Sequence, residues 1–419
     1  LAKGWGNFVS DRINIWRLHI KNYNVSKYLI ETCICQEVIG AENVKIALVI
    51  KSGLINEKRQ CGIAHLTEHM LLSFEYENKY HSYFPYLFKA ITSIDKTVFE
   101  FTCLPGDIFK IIKIIRQILT GQTLYESYLN DIKVDVISEY VKVSKDYLYR
   151  INELLLKKYK IAKTMPIGIP KTIYKITYAM IYRYFIENYR SSNSGLVVCG
   201  NIDYDRIEEY VNQLLTTSYD NNVVMKKKKY MDSKKRLWGR RKIVLENSIK
   251  NDSAELHVFS KIEVTRKCYE IVVDNIVFTI LEEELGNKSN KTKIELNRFS
   301  KHNMFLHLTI ANPQISYKSF LNKLKELECY IKKRDTNIIN WLREIIDKYC
   351  ALSLQQKIRL NDRFDQLIDL YLYGDIYYTE EDYRNILKEI RTGDVLKSLE
   401  KWIKQLANTR KCVVFELRG

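Results

Sequence analysis

Glycine, proline and long apolar runs are all scarce in this sequence. The chain of 419 residues contains 15 glycines and 5 prolines, which excludes a collagen-like protein or one dominated by flexible linkers. No apolar run approaches the roughly 18–20 residues of a membrane-spanning helix. Residues 1–17 are mixed and polar, without the hydrophobic region of a secretory signal peptide. We therefore expect neither a membrane span nor a signal peptide.

The cysteines do not form the pattern of a disulfide framework. There are 9 of them, an odd number, and most lie singly in apolar segments, where a free thiol behaves as a small hydrophobic side chain. Cys33 and Cys35 have the wrong spacing for the usual zinc pair, and strand alternation would place both on one face. We expect free thiols, a reducing compartment and hence a cytoplasmic location.

The charge of the chain is strongly positive, with a net value of +17. Its sharpest basic cluster spans residues 226–242, which read KKKKYMDSKKRLWGRRK. Such a run is a candidate nucleic-acid patch, but only Tyr230 and Trp238 are available there for base stacking. A solvated linker between domains is the simpler interpretation, and we expect no nucleic-acid partner.

Apolar periodicity predicts alternating strands and helices on both sides of this linker. Strands are predicted at 28–34, 44–50, 96–104, 196–199, 254–259, 304–310 and 412–417. Helices are predicted at 62–74, 108–119, 126–143, 147–159, 203–215, 269–284, 315–332, 338–348 and 395–406. The fold class is therefore α+β, with two similar domains, each a mainly antiparallel sheet packed with helices. The predicted bounds are 1–225 for the first domain, 226–242 for the linker and 243–419 for the second domain.

The most informative segment is HLTEH at residues 65–69. On a helix, His65 and His69 are four residues apart and share one face, so both imidazoles can bind one metal ion. Glu68 faces the same side and can take a proton from water at that metal. This is the inverted form of the commoner His-Glu-x-x-His zinc helix. The alternative is two surface histidines beside a glutamate.

A third protein ligand is needed to complete such a site. The predicted helix from residue 126 offers Asp131, Asp135 and Glu139, among apolar neighbours. Burying an unpaired carboxylate is unfavourable, and a metal ion would offset that penalty. Spacing alone leaves the choice among the three carboxylates open.

Four segments resemble the insulinase, pitrilysin and mitochondrial-processing-peptidase family of zinc peptidases. The strand VKIALVIKSG at 44–53 and the segment CGIAHLTEHMLLSF at 61–74 are similar to the N-terminal signature of that family. The segment AITSIDKTVF at 90–99 is similar to its edge strand, and LVVCGNID at 196–203 resembles, more loosely, the end of its first domain. The resemblance covers most of the first 220 residues. For the second half of the chain it rests on architecture only.

The resemblance implies roles for individual residues. It implies a zinc-bearing N-terminal peptidase domain in which His65, His69 and Glu139 bind Zn²⁺ and Glu68 is the general base. The family position seven residues before the third ligand is Ile132 here, so Asp135 is the candidate outer-shell group instead. The resemblance also implies that a peptide substrate adds to the edge strand near its predicted substrate-binding residues, Ala90, Ile91 and Thr92.

The second half departs from the family where an Arg and a Tyr are expected to contact the substrate carbonyl. Those positions are Asn297 and Met304, or Arg298 and Phe305 after a shift of one residue. Because oxyanion stabilisation contributes a few kcal/mol, the resemblance implies a homologous partner subunit that supplies the pair. A heterodimer is the first expectation and a homodimer the alternative.

The function implied is a zinc endopeptidase subunit that cuts peptides or leader segments inside a two-subunit chamber. Maturation of a ribosomally made peptide, such as removal of a bacteriocin or lanthipeptide leader, is a further expectation from the resemblance. The positive charge would suit an acidic leader. The rival interpretation is a non-catalytic scaffold subunit, although such relatives typically lose residues of the motif that all remain here.

Overall fold

The computed structural model of this chain describes eleven segments. They are residues 13–17, 28–58, 60–73, 87–216, 242–246, 254–262, 267–286, 291–311, 316–355, 359–374 and 378–418. The chain divides into two compact units. The first unit comprises Leu1–Ser233 and Ile358–Asp375, and the second comprises Lys234–Lys357 and Ile376–Gly419.

The first unit is built on a six-stranded sheet with strand order β1-β2-β6-β3-β5-β4. Its strands are β1 (Ile13–Arg17), β2 (Thr32–Glu37), β3 (Val44–Ile50), β4 (Leu87–Thr92), β5 (Thr97–Cys103) and β6 (Ser194–Gly200). The pair β2–β6 is parallel, and the other pairs are antiparallel. Among the described strands, β4 lies at one end of the sheet, so the sheet presents it as an edge strand.

The helices between these strands cover one face of the sheet. They are α1 (Ile63–Leu71), α2 (Ile108–Thr120), α3 (Leu129–Val143), α4 (Tyr147–Lys158), α5 (Pro170–Ile173), α6 (Tyr178–Asn188) and α7 (Tyr204–Leu214). Alternate residues of β3, from Val44 to Ile50, join the apolar faces of these helices in one core. In α2 the isoleucines at positions 108, 111, 112, 115 and 118 are buried, which is the helical spacing that the sequence predicts.

The opposite face of the sheet is packed against α11 (Leu360–Tyr373), a helix from the C-terminal part of the chain. The ring of Tyr371 lies so close to β6 that a Cβ on Gly195 would be 2.4 Å from it. Lys51 places its ammonium 4.0 Å from the centre of the same ring. Packing on both faces explains why every residue of β6 is buried and why this strand reads as a continuous apolar run.

The second unit contains a five-stranded sheet with order β7-β11-β8-β10-β9. Its strands are β7 (Lys242–Glu246), β8 (Glu255–Ile262), β9 (Lys291–Ser300), β10 (Asn303–Ala311) and β11 (Cys412–Arg418). Its helices are α8 (Cys268–Leu285), α9 (Tyr317–Lys332), α10 (Thr336–Gln355), α12 (Glu380–Glu389) and α13 (Thr392–Ala407). In its core, the buried carboxylate of Asp274 accepts hydrogen bonds from Trp402 Nε1, at 2.7 Å, and from Ser398.

The α+β class and the two similar sheet-and-helix domains are confirmed. The predicted domain bounds stay a prediction, because most of the linker, up to residue 241, lies outside the described residues. One difference is evident: residues 360–373 were predicted as part of the second domain, and they pack within the first unit.

No described helix is long and apolar enough to cross a membrane. The 9 cysteines are free thiols, and the sulfurs of Cys33 and Cys35 lie 3.6 Å apart on one face of β2.

Candidate metal centre

Helix α1 begins at a glycine that no larger residue could replace without strain. Gly62 adopts a left-handed conformation with φ of 93°, and a Cβ there would lie 3.0 Å from the Cα of Gly168. The carboxyl group of Glu57 accepts hydrogen bonds from the backbone N–H groups of Gly62 and Ala64, at 3.0 and 3.1 Å. Glu57 therefore caps the N-terminus of the helix that carries the motif.

The two histidines of α1 face a carboxylate of α3. Oε2 of Glu139 lies 3.7 Å from Nε2 of His65 and 3.5 Å from Nε2 of His69. The three possible ligand atoms all lie within 4.8 Å of one another. The buried residues Ile132 and Val136 hold α3 against the core, and Glu139 follows on the same face of that helix. The structure thus brings together the three residues that the resemblance implies as ligands.

These three residues fit a divalent zinc ion. Zinc bonds of about 2.0–2.2 Å in a tetrahedral site place neighbouring ligand atoms about 3.3–3.6 Å apart, close to the two distances observed here. Burial, and then the nearby His69, lower the pKa of His65 to about 3, so its imidazole is neutral. The hydrogen bond from His69 is the first cause of the lowered pKa of Glu139, so the carboxylate is ionised. Neutral imidazole and carboxylate are the forms that bind metal.

Glu68 lies beside this group without belonging to it. The side chain is buried, and its Oε2 accepts a hydrogen bond of 2.6 Å from the hydroxyl of Thr92. Burial raises the pKa of Glu68 to about 7, against the opposing influence of His69 and Thr92. A carboxyl group that titrates near neutral pH can both accept and return a proton.

Asp135, the candidate outer-shell group, does not bond to the Nδ1 atom of His65. It lies one helical turn before Glu139 and is exposed. The buried Nδ1 of His65 has no hydrogen-bond partner in the described part of the chain, so Asp135 does not bond to it. Its outer-shell role therefore stays a prediction.

The predicted substrate-binding residues lie on the edge strand β4, next to α1. Strand alternation places Ala90 and Thr92 on the face that carries the helices, and Ile91 on the opposite face. Thr92 is the member of this set that contacts the candidate centre, through Glu68. The sequence predicts its position on the edge strand, but not this hydrogen bond.

Two family models match the chain, one after the other. The insulinase model of peptidase family M16 matches residues 34–171, and the model of the Peptidase M16 inactive domain matches residues 175–290. The chain belongs to peptidase family M16. The first match contains the whole candidate metal centre of this M16 chain, which makes that centre the natural place to look for its activity. A search among curated proteins gives no match.

Solved structures of three proteases share the fold. A protease from Helicobacter pylori has a TM-score of 0.73 and 15% identity, covering 98% of this chain and 100% of that one. The first half of the periplasmic protease PqqL from Escherichia coli has a TM-score of 0.71 and 14% identity, and the match covers 92% of this chain and 89% of that one. The ferredoxin protease FusC, in complex with Arabidopsis ferredoxin, has a TM-score of 0.64 and 15% identity. The match covers 92% of this chain but only 46% of FusC.

In the second unit of this M16 chain, the residues that stand at the predicted Arg and Tyr positions lie on the hairpin β9–β10. Asn297 pairs with Phe305 across the two strands, and its side-chain nitrogen lies 3.2 Å from Nδ1 of His307. Phe305 is fully buried and has no hydroxyl to donate. Met304 pairs with Arg298.

Sequence reasoning missed two contributors to the centre. Glu57 caps α1 from outside the motif, and the only local signal is an acidic residue shortly before the glycine of a helix start. The contact between Thr92 and Glu68 joins residues 24 positions apart, so no local spacing could have revealed it.

Proposed function

We propose that this chain is the metal-bearing subunit of a zinc endopeptidase. The observation that carries the proposal is the convergence of His65, His69 and Glu139 within 4.8 Å, with the buried Glu68 beside them. Membership of an M16 peptidase family supports the same reaction class.

The residues of the chain have distinct tasks in this proposal. A zinc ion held by the three ligands would polarise the scissile carbonyl group and lower the pKa of water at the site. Glu68 would accept the proton of the attacking water and return it to the leaving amine. The hydrogen bond from Thr92 would hold the Glu68 carboxylate in one orientation.

The substrate would be an extended peptide that adds to β4. The outermost strand of the described sheet offers main-chain N–H and C=O groups to such a peptide, and Thr92 couples this strand to Glu68. Ala90, Ile91 and Thr92 would lie opposite the bound segment. Leader removal from a ribosomally made peptide is the biological role that we propose for this cleavage.

A homologous partner subunit completes the proposed enzyme. The chain has about half the length of FusC, and neither Asn297 with Met304 nor Arg298 with Phe305 provides an Arg and Tyr pair. We therefore propose that a partner supplies that pair, in a heterodimer or, alternatively, a homodimer. The free thiols suit a reducing compartment, so the proposed location is the cytoplasm.

The test combines zinc analysis with peptide cleavage. The chain and its Glu68→Gln variant are assayed alone and mixed with a homologous partner subunit. We expect about one zinc per chain in both forms, and cleavage only by the mixture that contains Glu68. Cleavage by the chain alone would overturn the partner requirement. Zinc binding without cleavage in any mixture, or no zinc at all, would favour the scaffold function.

A further inference from the structure

A long basic segment of the first unit contains no acidic residue. Residues 154–186, which run from α4 to the end of α6, include no Asp or Glu, although the whole chain has 50 acidic residues beside its 67 basic ones. The basic residues of the segment stand at positions 157, 158, 160, 163, 171, 175 and 183. The positive charge of the chain is therefore concentrated locally in this part of the folded first unit.

Five of these basic side chains are exposed and have no acidic partner. None of the five forms an ion pair with a residue that the structure describes. Glu187, one helical turn after Arg183, could have paired with it, but Lys58 binds Glu187 instead at 2.8 Å. We call this surface the basic face and define it by its five cations, Lys160, Lys163, Lys171, Lys175 and Arg183.

Apolar side chains are exposed among these cations. Helix α6 buries one apolar stripe in the core, but its solvent side also carries Ala179, Tyr182 and Ile186, at the spacing of a second stripe. The exposed fractions are 51% for Tyr182 and 46% for Ile186, and 64% for Tyr174, which lies just before the helix. A helix with apolar side chains on opposite faces is usually covered on both, so the solvent side of α6 is suited to a partner.

Hydrogen bonds fix the basic face to the segments that carry the metal ligands. The hydroxyl of Thr172 donates to the carbonyl oxygen of Cys61 at 2.7 Å, immediately before α1. The ammonium of Lys133, on α3, donates to the carbonyl oxygen of Tyr174 at 3.2 Å. Whatever binds the basic face would therefore hold the candidate metal centre in a defined orientation.

The mixture of side chains favours a lipid surface over other anionic partners. Four of the five cations are lysines, which are depleted in protein–protein interfaces, whereas lysine stems and tyrosine rings suit the boundary between lipid headgroups and acyl chains. A single-stranded nucleic acid could stack its bases on Tyr174 and Tyr182, but it offers no apolar environment to Ile186. An anionic bilayer offers both the negative charge and the apolar layer.

We propose that the basic face binds the surface of an anionic lipid bilayer, with α6 lying along it. The cations contact lipid phosphates, and Tyr174, Tyr182 and Ile186 enter the headgroup region. This is peripheral association, which needs no membrane-spanning helix. The face is separate from the ligands of the candidate metal centre, so this proposal and the peptidase proposal can fail independently.

The experiment measures binding of the full chain to vesicles by sedimentation. One set of vesicles is phosphatidylcholine, and the other contains about one third phosphatidylglycerol. We expect binding to the anionic vesicles that weakens as salt is raised. The triple variant Lys171→Gln, Lys175→Gln and Arg183→Gln should lose about 100-fold in affinity.

Two further variants test where and how the bilayer is contacted. The matched control removes three exposed cations from α13 in the second unit, Lys397→Gln, Lys401→Gln and Lys404→Gln, and should stay within about threefold of the wild type. The double variant Tyr182→Gln with Ile186→Gln keeps every charge and should lose on the order of fivefold. Zinc content should be that of the wild type in all three variants, which shows that the first unit is folded.

Several outcomes would overturn the proposal. Absence of binding to the anionic vesicles would do so, and so would equal losses in the two triple variants, which would assign binding to diffuse charge. Unchanged affinity in the Tyr182 and Ile186 variant would show that α6 does not lie on the bilayer. Tighter binding of labelled single-stranded DNA or of polyglutamate through the same three cations would reassign the face to a nucleic acid or to an acidic protein.

Discussion

The hydroxyl of Thr92 donates a hydrogen bond of 2.6 Å to the carboxylate of Glu68. One residue belongs to the edge strand and the other to the helix of the metal ligands. The proposed peptide-binding strand and the proposed general base are therefore fixed to each other. Displacement of β4 would also disturb the orientation of Glu68.

Replacing Thr92 with Val should slow cleavage without loss of metal. Valine keeps the shape of the side chain but removes the donor, and a hydrogen bond to a charged group is worth about 1.5–3 kcal/mol. We expect kcat to fall by about tenfold or more, with zinc content unchanged. Thr92→Ser, which retains a hydroxyl, should restore most of the rate. A Val variant with the wild-type rate would contradict the positioning role.

The carboxylates of α3 should differ in their effect on zinc affinity. Glu139→Gln removes a proposed ligand, so we expect affinity to fall by more than about 100-fold, beyond the loss typical of an outer-shell partner. Asp135→Asn should lower it by about tenfold if the predicted outer-shell role is correct. Asp131→Asn, at another exposed position of the helix, is the control. Titration with a competing chelator measures all three, and equal affinities would refute the ligand assignment.

Glu57 should tolerate Gln but not Ala. Burial raises the pKa of Glu57 to about 8, so at pH 7 the protonated form predominates, and Gln preserves its oxygen acceptor for the N–H groups of Gly62 and Ala64. We expect Glu57→Gln to change the free energy of unfolding by less than about 0.5 kcal/mol, and Glu57→Ala to lower it by about 1–2 kcal/mol. Urea denaturation measures both. A Gln variant as unstable as the Ala variant would show that the ionised carboxylate is required.

His307 should make the chain less stable in acid. It is buried in a hydrogen-bonded series: its Nε2 lies 3.0 Å from Nδ1 of His257, whose Nε2 lies 3.0 Å from Glu255. Burial, then the charges of His257 and Lys293, lower the pKa of His307 to about 3, while Glu255 acts in the opposite direction. The unfolded chain, with a histidine pKa of about 6.5, takes up a proton between pH 6.5 and 3 that the folded chain does not.

The stability contributed by neutral His307 is therefore present above pH 6.5 and lost as the pH falls. We expect the contribution of His307 to the slope of the free energy of unfolding against pH to approach about 1.4 kcal/mol per pH unit below pH 6. Urea titrations at pH 7, 6 and 5, followed by tryptophan fluorescence, measure this slope. His307→Phe should reduce it, whereas His302→Gln, at an exposed turn position, should not. An unchanged slope in the Phe variant would assign the pH dependence to other groups.

Local periodicity was sufficient to predict most buried elements. The helix predicted at 62–74 is Ile63–Leu71 in the structure, and the strand at 44–50 is Val44–Ile50. The prediction was less accurate at strand 28–34, since pairing with β6 begins only at Thr32. Strand β9 was missed, because an edge strand with polar residues on both faces has a weak apolar pattern.

The metal centre could be predicted in part because its histidines are close in sequence. His65 and His69 are related by helix geometry alone, whereas spacing could not choose among Asp131, Asp135 and Glu139. That choice required the family resemblance, and only tertiary structure places Glu139 near both imidazoles. The contacts of Thr92 with Glu68 and of α11 with β6 depend on distant segments, so no local pattern predicts them.

The position of α11 has a consequence for synthesis on the ribosome. Strand β6 ends at Gly200, yet the helix that covers its second face ends only at Tyr373, roughly 170 residues later. At about 5–20 residues per second, the nascent sheet would wait on the order of 10–30 s with that apolar surface uncovered. The growing chain would then be a client for chaperones that bind exposed strands, until the helix emerges and docks.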